Sequence, residues 1–433
     1  MNYPVWQLDF AGGGLLIAVM AILHVYVSHF AVGGGLFLVL TEHKGIRENN
    51  PAILAYVQRH TKFFMLLTMV FGSLTGVGIW FTISLLNPAA TSVLIHNFVF
   101  AWAAEWTLFV AEIVAIFLYY YSFGRISSRQ HLIIGWIYFA CAWLSLFVIN
   151  GIIDFMLTPG SWLENGSFWS GLFNPTFWPA LFFRTFLAVM IAGLFGFMTA
   201  TAQKEPGLRH NLVRFCALWL LAPFVFLLAS AWWYRAALPP QLEAMVFDRI
   251  PGLQGYMRAF IVCSPLLILG GLLMAVRTPS AVRRSLAVVM LIVGLIYIGA
   301  FEFIREGGRK PYIIQNYMYA NSLLKEELPA VQQVGILKSA RWAHLRKVEE
   351  DKLGVAGQEI FNLTCLSCHS IGGPLRDMRK RSAQLSIKGL EFVISAMGEK
   401  LPYMPPFAGT DEEKEALIFF LHRSLLNQPQ AND

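Results

Sequence analysis

The sequence predicts an all-α protein: a polytopic membrane bundle of about eight transmembrane helices, followed by a small soluble all-α domain. Three observations predict this architecture. Hydrophobic residues make up 56% of the 433 residues and charged residues only 14%, which excludes a soluble globular protein. Several apolar stretches reach the roughly 20 residues that cross a bilayer, and the composition turns polar after residue 306.

The apolar stretches predict spans at residues 12–41, 62–86, 93–121, 131–157, 175–202, 211–234, 257–276 and 285–305. Lysine and arginine are concentrated in alternate loops, while loops 87–92 and 158–175 have none. The positive-inside rule therefore places the N-terminus outside the cytoplasm, and an even number of spans places the C-terminus there too. We expect a multi-pass protein of the bacterial inner membrane with a periplasmic C-terminal domain. The formal net charge of +7 belongs to these loops and does not indicate nucleic acid.

Two histidines, His24 and His29, lie in the middle of the first predicted span. An ionisable group at that depth is costly and is usually functional. Among aromatic side chains in a membrane helix, a histidine is a candidate ligand of a haem iron. The alternative is a neutral histidine that is hydrogen-bonded to a neighbouring helix.

Span 3 carries two glutamates, Glu105 and Glu112, which are seven residues apart and so lie on nearly the same face of a helix. Buried carboxylates in a membrane are typical of proton relays or of ligands. The alternative is a carboxylate satisfied by a neighbouring helix. Span 8 carries Glu302, Glu306 and Arg309 at its outer end.

The soluble domain contains the sequence Cys-Leu-Ser-Cys-His at residues 365–369. C-x-x-C-H is the attachment signature of a c-type haem, in which Cys365 and Cys368 form thioethers and His369 binds the iron. A redox C-x-x-C or half a zinc site is the alternative, but a second zinc-ligand pair is missing from the sequence.

A Tyr-Met-Pro-Pro-Phe sequence follows at residues 403–407, before a predicted closing helix. With the C-x-x-C-H motif, it makes this domain resemble a class I cytochrome c over its whole length. That resemblance implies one covalent haem c with Met404 as the sixth ligand of its iron. Met397 is the competing choice, although it lies in a predicted helix.

Residues 10–315 resemble subunit I of the cytochrome bd quinol oxidases. The matching features are His24 with Glu42, Glu105 with Glu112, Asn150-Gly151 before Pro159-Gly160, and the run Glu306-Gly-Gly-Arg309-Lys-Pro311-Tyr312. The resemblance implies one or two membrane haems, of type b or d. It makes His24 the axial ligand of the oxygen-binding haem. Glu306 becomes the ligand of a neighbouring high-spin haem b that Arg309 also helps to hold. Glu105 and Glu112 then belong to the same site or its proton path.

The sequence also departs from that family. Where the family binds a low-spin haem b between a histidine of helix five and a methionine of the seventh span, this chain has Arg184 and Phe260, with Met257 nearby. The long quinol-binding loop after helix six is missing. Because an arginine cannot easily lose its charge, we expect Arg184 to pair with a haem propionate or a buried carboxylate.

The sequence thus predicts a bd subunit I-like transmembrane domain (1–306), a periplasmic linker (307–350) and a cytochrome c domain (351–433). Three functions in a respiratory chain follow from it. The first is reduction of dioxygen or a similar small molecule at a membrane haem that the cytochrome c domain supplies with electrons. The second is electron transfer without gas chemistry, and the third is a scaffold that anchors the haem c in a larger complex. The expected partners are a second membrane subunit, a soluble or membrane-bound cytochrome c, quinone and lipid, without nucleic acid.

Overall fold

The computed structural model describes residues 3–250, 252–276 and 280–424. Within them, eight helices are long and apolar enough to cross a membrane, so the predicted all-α membrane bundle is confirmed. These helices are α1 (Gly13–Arg47), α2 (Pro51–Leu86), α3 (Val99–Tyr121), α4 (Ser128–Phe155), α5 (Phe177–Ala200), α6 (Pro206–Ala236), α7 (Leu253–Ala275) and α8 (Ser280–Gly308).

The C-terminal helices are α9 (Leu353–Thr364), α10 (Met378–Ser382), α11 (Ile387–Ser395) and α12 (Asp411–Phe419). Short helices lie at Pro88–Asn97, Trp162–Asn165, Phe168–Leu172, Pro240–Ala244, Leu328–Val334 and Ile336–Ser339, with 3-10 turns at Lys325–Glu327 and Glu350–Lys352. π-Helical segments occur at Leu67–Gly72, Met245–Arg249 and Phe420–Ser424. The strands β1 (Tyr312–Ile314) and β2 (Met318–Tyr319) pair antiparallel.

The first two helices are longer than their predicted spans of 12–41 and 62–86. Helix α1 continues to Arg47 and α2 begins at Pro51, where the Asn50 side chain accepts hydrogen bonds from Ala52 N and Ile53 N at 3.1 and 3.2 Å. The predicted spans lie within these helices to within one residue, because apolar stretches mark only the part of a helix that is in lipid. Backbone hydrogen bonding continues through the polar residues beyond.

Helix α5 lies at the centre of the bundle. In its most apolar stretch 72% of the residues are buried, against 22% in α2, α3 and α4. It packs directly on α1 at Gly33, where a Cβ atom would lie only 1.9 Å from the carbonyl oxygen of Ala188. Small residues at such a contact let two backbones approach, which is how membrane helices gain packing energy. This contact fixes α1, the helix of His24, against the core.

A second hydrophobic core extends from Tyr319 to Leu421 and is built on α9, α11 and α12. Residues of the predicted linker 307–350 contribute to it, including Leu323, Ile336 and Leu337. Backbone amides of Ile336 and Leu337 donate to the buried carboxylate of Glu413 at 2.8 and 2.9 Å. The chain after α8 therefore packs against the C-terminal helices.

Candidate functional sites

His24 is oriented by α2, the neighbouring helix. Its Nδ1 atom lies 3.1 Å from the carbonyl oxygen of Gly72 and 3.2 Å from Thr75 Oγ1. Gly72 closes the π-helical segment Leu67–Gly72, and such segments are frequent at functional sites. A ligating histidine is typically held through one ring nitrogen while the other binds the metal. With Nδ1 held in this way, Nε2 of His24 is the nitrogen that fits a haem iron.

The glycines of α2 leave space beside this ring. A Cβ atom on Gly76 would lie 3.1 Å from His24 Cε1, so a side chain at residue 76 would crowd the imidazole. His29, one and a half turns further along α1, is buried, and its Nδ1 atom contacts the carbonyl oxygen of Val25 at 2.8 Å. Its Nε2 atom is buried without a hydrogen-bond partner in the described structure. A buried polar atom in that state is a candidate contact for a bound group.

The two glutamates of α3 face the interior. Glu112 is only 6% exposed, and the half-buried Glu105 accepts a hydrogen bond from Ser145 Oγ of α4 at 3.2 Å. Tyr119 follows on the same face, again seven residues along. Helix α3 therefore carries a stripe of three acidic or phenolic groups through the bundle.

The Tyr119 end of this stripe meets a buried hydrogen-bonded cluster. Tyr119 OH donates to Glu42 Oε2 at 2.6 Å, and His131 Nδ1 lies 2.7 Å from Glu42 Oε1. His131 Nε2 lies 2.9 Å from the carbonyl oxygen of Tyr119. Sequence reasoning missed His131 and Tyr119; the seven-residue spacing from Glu112 to Tyr119 was the signal that could have found Tyr119. Because two acceptors face the ring of His131, this cluster can hold a proton.

Arg184 pairs with a carboxylate, one of the two partners expected for it. Its NH1 atom lies 3.2 Å from Glu302 Oε1, and Glu302 Oε2 accepts from Arg305 Nε and NH2 at 3.0 and 2.8 Å. Nε and NH2 of Arg184 are buried and have no hydrogen-bond partner among the described residues. Arg184 thus keeps donors for a further acceptor.

Phe260 stacks on Tyr297, with ring centroids 4.3 Å apart and ring planes 16° apart. Met257 lies in a small cleft of about 230 Å³ with Val246 and Phe247. Arg184 and Phe260, the two residues at the low-spin ligand positions of the resemblance, are thus engaged in an ion pair and an aromatic stack.

Glu306 and Arg309 meet at the C-terminal end of α8. They form an ion pair, and Lys310 Nζ lies 3.7 Å from Glu306 Oε1. Arg309 is only 3% exposed and donates through NH1 to the carbonyl oxygen of Ile313 at 2.8 Å. The Glu306 side chain is 38% exposed, so this carboxylate lies at the outer surface of the bundle.

The C-x-x-C-H loop follows the end of α9. The backbone amide of His369 donates to the carbonyl oxygen of Cys365 at 3.0 Å, and His369 Nδ1 lies 3.0 Å from the carbonyl oxygen of Arg376. Burial lowers the pKa of His369 to about 4, so the ring is neutral near pH 7, as a metal ligand must be. Its Nε2 atom, opposite the held Nδ1, fits an iron. Met404 and Met397 are both half-buried.

This loop lies against the N-terminal end of α1. The amide of Ile371 donates to the carbonyl oxygen of Asp9 at 2.7 Å, and Asn362 Nδ2 donates to Gln7 Oε1 at 2.9 Å. A Cβ atom on Gly14, in the first turn of α1, would lie 3.2 Å from the carbonyl oxygen of Ser367. The motif of the C-terminal unit is thus in contact with the helix that carries His24.

The sequence profile of cytochrome bd terminal oxidase subunit I matches residues 15–232, or 218 of the 433 residues. The fold is similar to that in "The structure of bd oxidase from Geobacillus thermodenitrificans", with a TM-score of 0.61 and 17% sequence identity. That alignment covers 72% of this chain and 90% of the other. The comparison with curated proteins gives no match.

Proposed function

This chain belongs to the cytochrome bd terminal oxidase subunit I family, and we propose that it is a respiratory oxidoreductase that receives electrons on the periplasmic side. In this proposal, residues 351–433 are a cytochrome c domain joined through residues 307–350. They pass electrons to a membrane haem, where dioxygen or a similar small molecule is reduced. The observation that carries the proposal is the position of the C-x-x-C-H loop above the helix of His24.

The separation between the two sites is short. Gly14 contacts this loop, and ten residues of α1 separate Gly14 from His24. At the helical rise of 1.5 Å per residue, that is about 15 Å along the helix axis. Electron transfer falls steeply with distance, so a C-terminal unit held at this end of α1 is placed to act on a cofactor at His24.

The ligand sets fit the expected groups. Cys365 and Cys368 would hold haem c covalently, His369 and Met404 would bind its iron, and this group supplies one-electron transfer. His24 would hold a membrane haem of type b or d, and an open iron position there supplies the binding and reduction of dioxygen. Glu306 with Arg309 is the second candidate haem contact, at the outer end of α8.

Glu112 and Glu105 hold protons for this reaction in our proposal. Carboxylates buried in apolar surroundings can be protonated near neutral pH and can pass that proton on. The two lie on one face of α3, with Tyr119 and Glu42 toward the cytoplasmic end, so the stripe connects the cytoplasmic side with the outer half of the bundle. The polar side chains of α3 thereby serve a reaction that consumes protons.

A cytochrome c, soluble or membrane-bound, is the proposed electron donor. The Arg184–Glu302 pair and the Phe260–Tyr297 stack fill the region of the low-spin haem that would otherwise accept electrons from a quinol. A second membrane subunit and lipid are the proposed partners within an inner-membrane complex. Arg184 retains buried, unpartnered donors, which suit a haem propionate beside Glu302.

The experiment that tests this function is haem extraction from the purified protein, combined with a carbon monoxide difference spectrum. One covalent haem plus at least one extractable haem that binds carbon monoxide is the expected result. Extractable haem without carbon monoxide binding would favour electron transfer without gas chemistry. Arg184 and Phe260 at the low-spin ligand positions also favour that second function. A covalent haem alone would leave only an anchoring role.

A further inference from the structure

We propose that the N-terminal segment, residues 6–14, is a fixed dock for the C-x-x-C-H loop, so that the C-terminal domain is a stationary electron relay and not a swinging carrier. This inference rests on the proposed haem c and deepens it, because it names the surface that positions that haem. His369 would hold the iron that accepts one electron from a reduced one-electron carrier outside the membrane, and His24 would hold the iron that receives this electron next. No bond forms or breaks.

The dock is anchored to the membrane bundle. The amide of Trp6 donates to the carbonyl oxygen of Leu85, at the outer end of α2, at 2.8 Å. Tyr3 OH lies 2.9 Å from Ser92 Oγ in the following short helix. Trp6 and Phe10 are large exposed aromatic residues, which suits the membrane–water interface. The segment therefore has its own attachment, independent of the C-terminal domain.

The contact between dock and loop leaves no space. A Cβ atom on Gly373 would lie 1.7 Å from the carbonyl oxygen of Phe10, a backbone atom that cannot rotate away. Gly12 has a φ of +69°, and a Cβ atom there would lie 2.8 Å from Leu375 Cδ2. Glycine adopts that backbone conformation without strain. Both sides of the contact thus use glycine at the closest approach.

The docking loop is itself held rigidly. Asp377 Oδ1 accepts hydrogen bonds from the amides of Gly372 and Arg379 at 2.7 and 3.0 Å. The amide of Ser370 donates to the carbonyl oxygen of Leu375 at 2.7 Å. A rigid loop on an anchored segment fixes the orientation of the iron ligand His369.

A second attachment makes a swinging motion unfavourable. Ile314 and Met318 of the β1–β2 hairpin belong to one core cluster with Phe98 and Phe155 at the outer ends of α3 and α4. The amide of Gln315 donates to the carbonyl oxygen of Met156 at 3.0 Å. The chain that leads from α8 to the C-terminal domain is thus packed on the bundle. A mobile carrier would instead need a flexible connection that is free of the bundle.

Lys310 lies on the membrane side of the loop. Its ammonium group hydrogen-bonds the side chain of Cys368. Tyr403, beside Met404, packs on Met245 and its neighbours in the loop after α6. The two segments that carry the proposed iron ligands of the C-terminal domain therefore both face the bundle.

The test locks or opens the dock in the full-length holoprotein. In Gln7→Cys/Asn362→Cys the two cysteines replace side chains that hydrogen-bond across the contact, Asn362 Nδ2 to Gln7 Oε1 at 2.9 Å, so a short thiol-reactive cross-linker can join them through two disulfide bonds. We expect the cross-link to form on addition of this reagent, read on a non-reducing gel. We expect the locked protein to keep the wild-type rate of electron transfer from reduced soluble cytochrome c to the membrane haem.

Gly373→Ala should open the dock. Gly389→Ala is the matched control, since its Cβ atom would lie 3.4 Å from the nearest atom, Ser386 Oγ, which is an ordinary van der Waals contact. We expect Gly373→Ala to lose the fast phase of membrane-haem reduction and the hydrogen-exchange protection of the Ile371 amide. The visible spectrum of haem c should stay unchanged, which shows that the domain is folded.

Loss of transfer in the locked protein, restored by reduction of its disulfide bonds, would establish a mobile carrier and overturn the dock. So would an unchanged fast phase in Gly373→Ala. Failure of the function itself looks different: a wild-type protein without covalent haem, or without reduction of a membrane haem, would contradict the proposed function before any variant is compared.

Discussion

At the scale of single residues, the histidines of this chain share one arrangement. The Nδ1 atoms of His24, His29 and His369 each face a backbone carbonyl oxygen, at 3.1, 2.8 and 3.0 Å. A carbonyl only accepts, so the proton is on Nδ1 and the lone pair is on Nε2. Both proposed iron ligands are thus in the tautomer that a metal requires before any metal is bound.

Replacing Met404 by alanine tests the sixth ligand of haem c. Met404→Ala should remove the weak methionine–iron band in the far red and lower the reduction potential, because methionine–histidine ligation raises it. A redox titration with optical detection measures both. Met397→Leu is the control and should change neither. The reverse outcome would make Met397 the ligand.

Replacing His24 by alanine tests the membrane haem. His24→Ala should abolish carbon monoxide binding to the membrane haem while leaving the haem c spectrum intact, because only the membrane ligand is removed. The exposed His43 on the same helix supplies the control, and His43→Ala should bind carbon monoxide as the wild type does. Retained binding in His24→Ala would assign the iron to another side chain, with His29 as the first candidate.

The residue types at these sites could be predicted from sequence, but their partners could not. C-x-x-C-H is a local pattern, and His24 stands out by its depth in an apolar stretch. Glu42 meets His131 across 89 positions of sequence, and Arg184 meets Glu302 across 118. Such contacts depend on how helices pack, which local periodicity does not specify. The same reason hid the role of Gly72, whose carbonyl oxygen accepts from His24 across 48 positions of sequence.

At the scale of elements, α3 contributes a stripe of polar groups to the bundle. Glu112→Gln removes a proton carrier while keeping the shape of the side chain. We expect dioxygen consumption to fall by roughly 10²-fold, the lower range for loss of a general acid or base, with an unchanged carbon monoxide spectrum. An oxygen electrode measures the rate.

Glu164 is exposed in an outer loop, and Glu164→Gln should consume dioxygen at the wild-type rate. Full activity in Glu112→Gln would show that protons reach the site by a route that avoids α3.

Helix α12 joins the segment after α8 to the C-terminal core through one carboxylate. Glu413 accepts from the amides of Ile336, Leu337 and Thr410. Glu413→Ala leaves these amides without their acceptor and should lower the free energy of unfolding of this unit by about 3 kcal/mol. Chemical denaturation followed at the haem c band measures it. The neighbouring, exposed Glu412 provides Glu412→Ala, which should unfold like the wild type.

A C-terminal unit that unfolds identically in both variants would mean that residues 307–350 are an independent linker.

The sequence of this segment is polar and contains no span, which predicts a linker. Its packing depends on Glu413, more than 70 residues further along the chain. The start of α2 likewise could not be predicted from apolar periodicity. It depends on the Asn50 side chain, which caps the helix.

At the scale of the whole molecule, the proposed redox contacts lie toward one end of the bundle. The C-x-x-C-H loop contacts the N-terminal end of α1, the helix of His24, and the Glu306–Arg309 pair lies at the C-terminal end of α8. Arg184 pairs with Glu302, and Phe260 stacks on Tyr297. The all-α membrane bundle could be predicted because apolar stretches of this length mark membrane helices, and the family could be predicted because His24, Glu42, Glu105, Glu112 and the Glu306–Tyr312 run resemble its motifs. The docking of the C-terminal unit did not, because it depends on the shape of both surfaces.

We therefore expect cytochrome c to be the efficient donor and quinol a poor one. In a stopped-flow comparison, reduced soluble cytochrome c should reduce the membrane haem of the wild type quickly, and a quinol analogue should do so slowly or not at all. The physical reason is that a quinol in the membrane has no first acceptor within reach once the low-spin region is packed with side chains.

The control for this comparison is Cys365→Ser/Cys368→Ser, which removes the attachment of haem c while leaving α1 to α8 unchanged. Its membrane haem should no longer be reduced by cytochrome c. Without the haem c beside Gly14, the soluble donor has no cofactor through which its electron can reach the membrane haem. Fast reduction of this variant by the quinol analogue would contradict the proposal. It would place a quinone site on the bundle itself, and the C-terminal domain would then deliver electrons outward from the membrane.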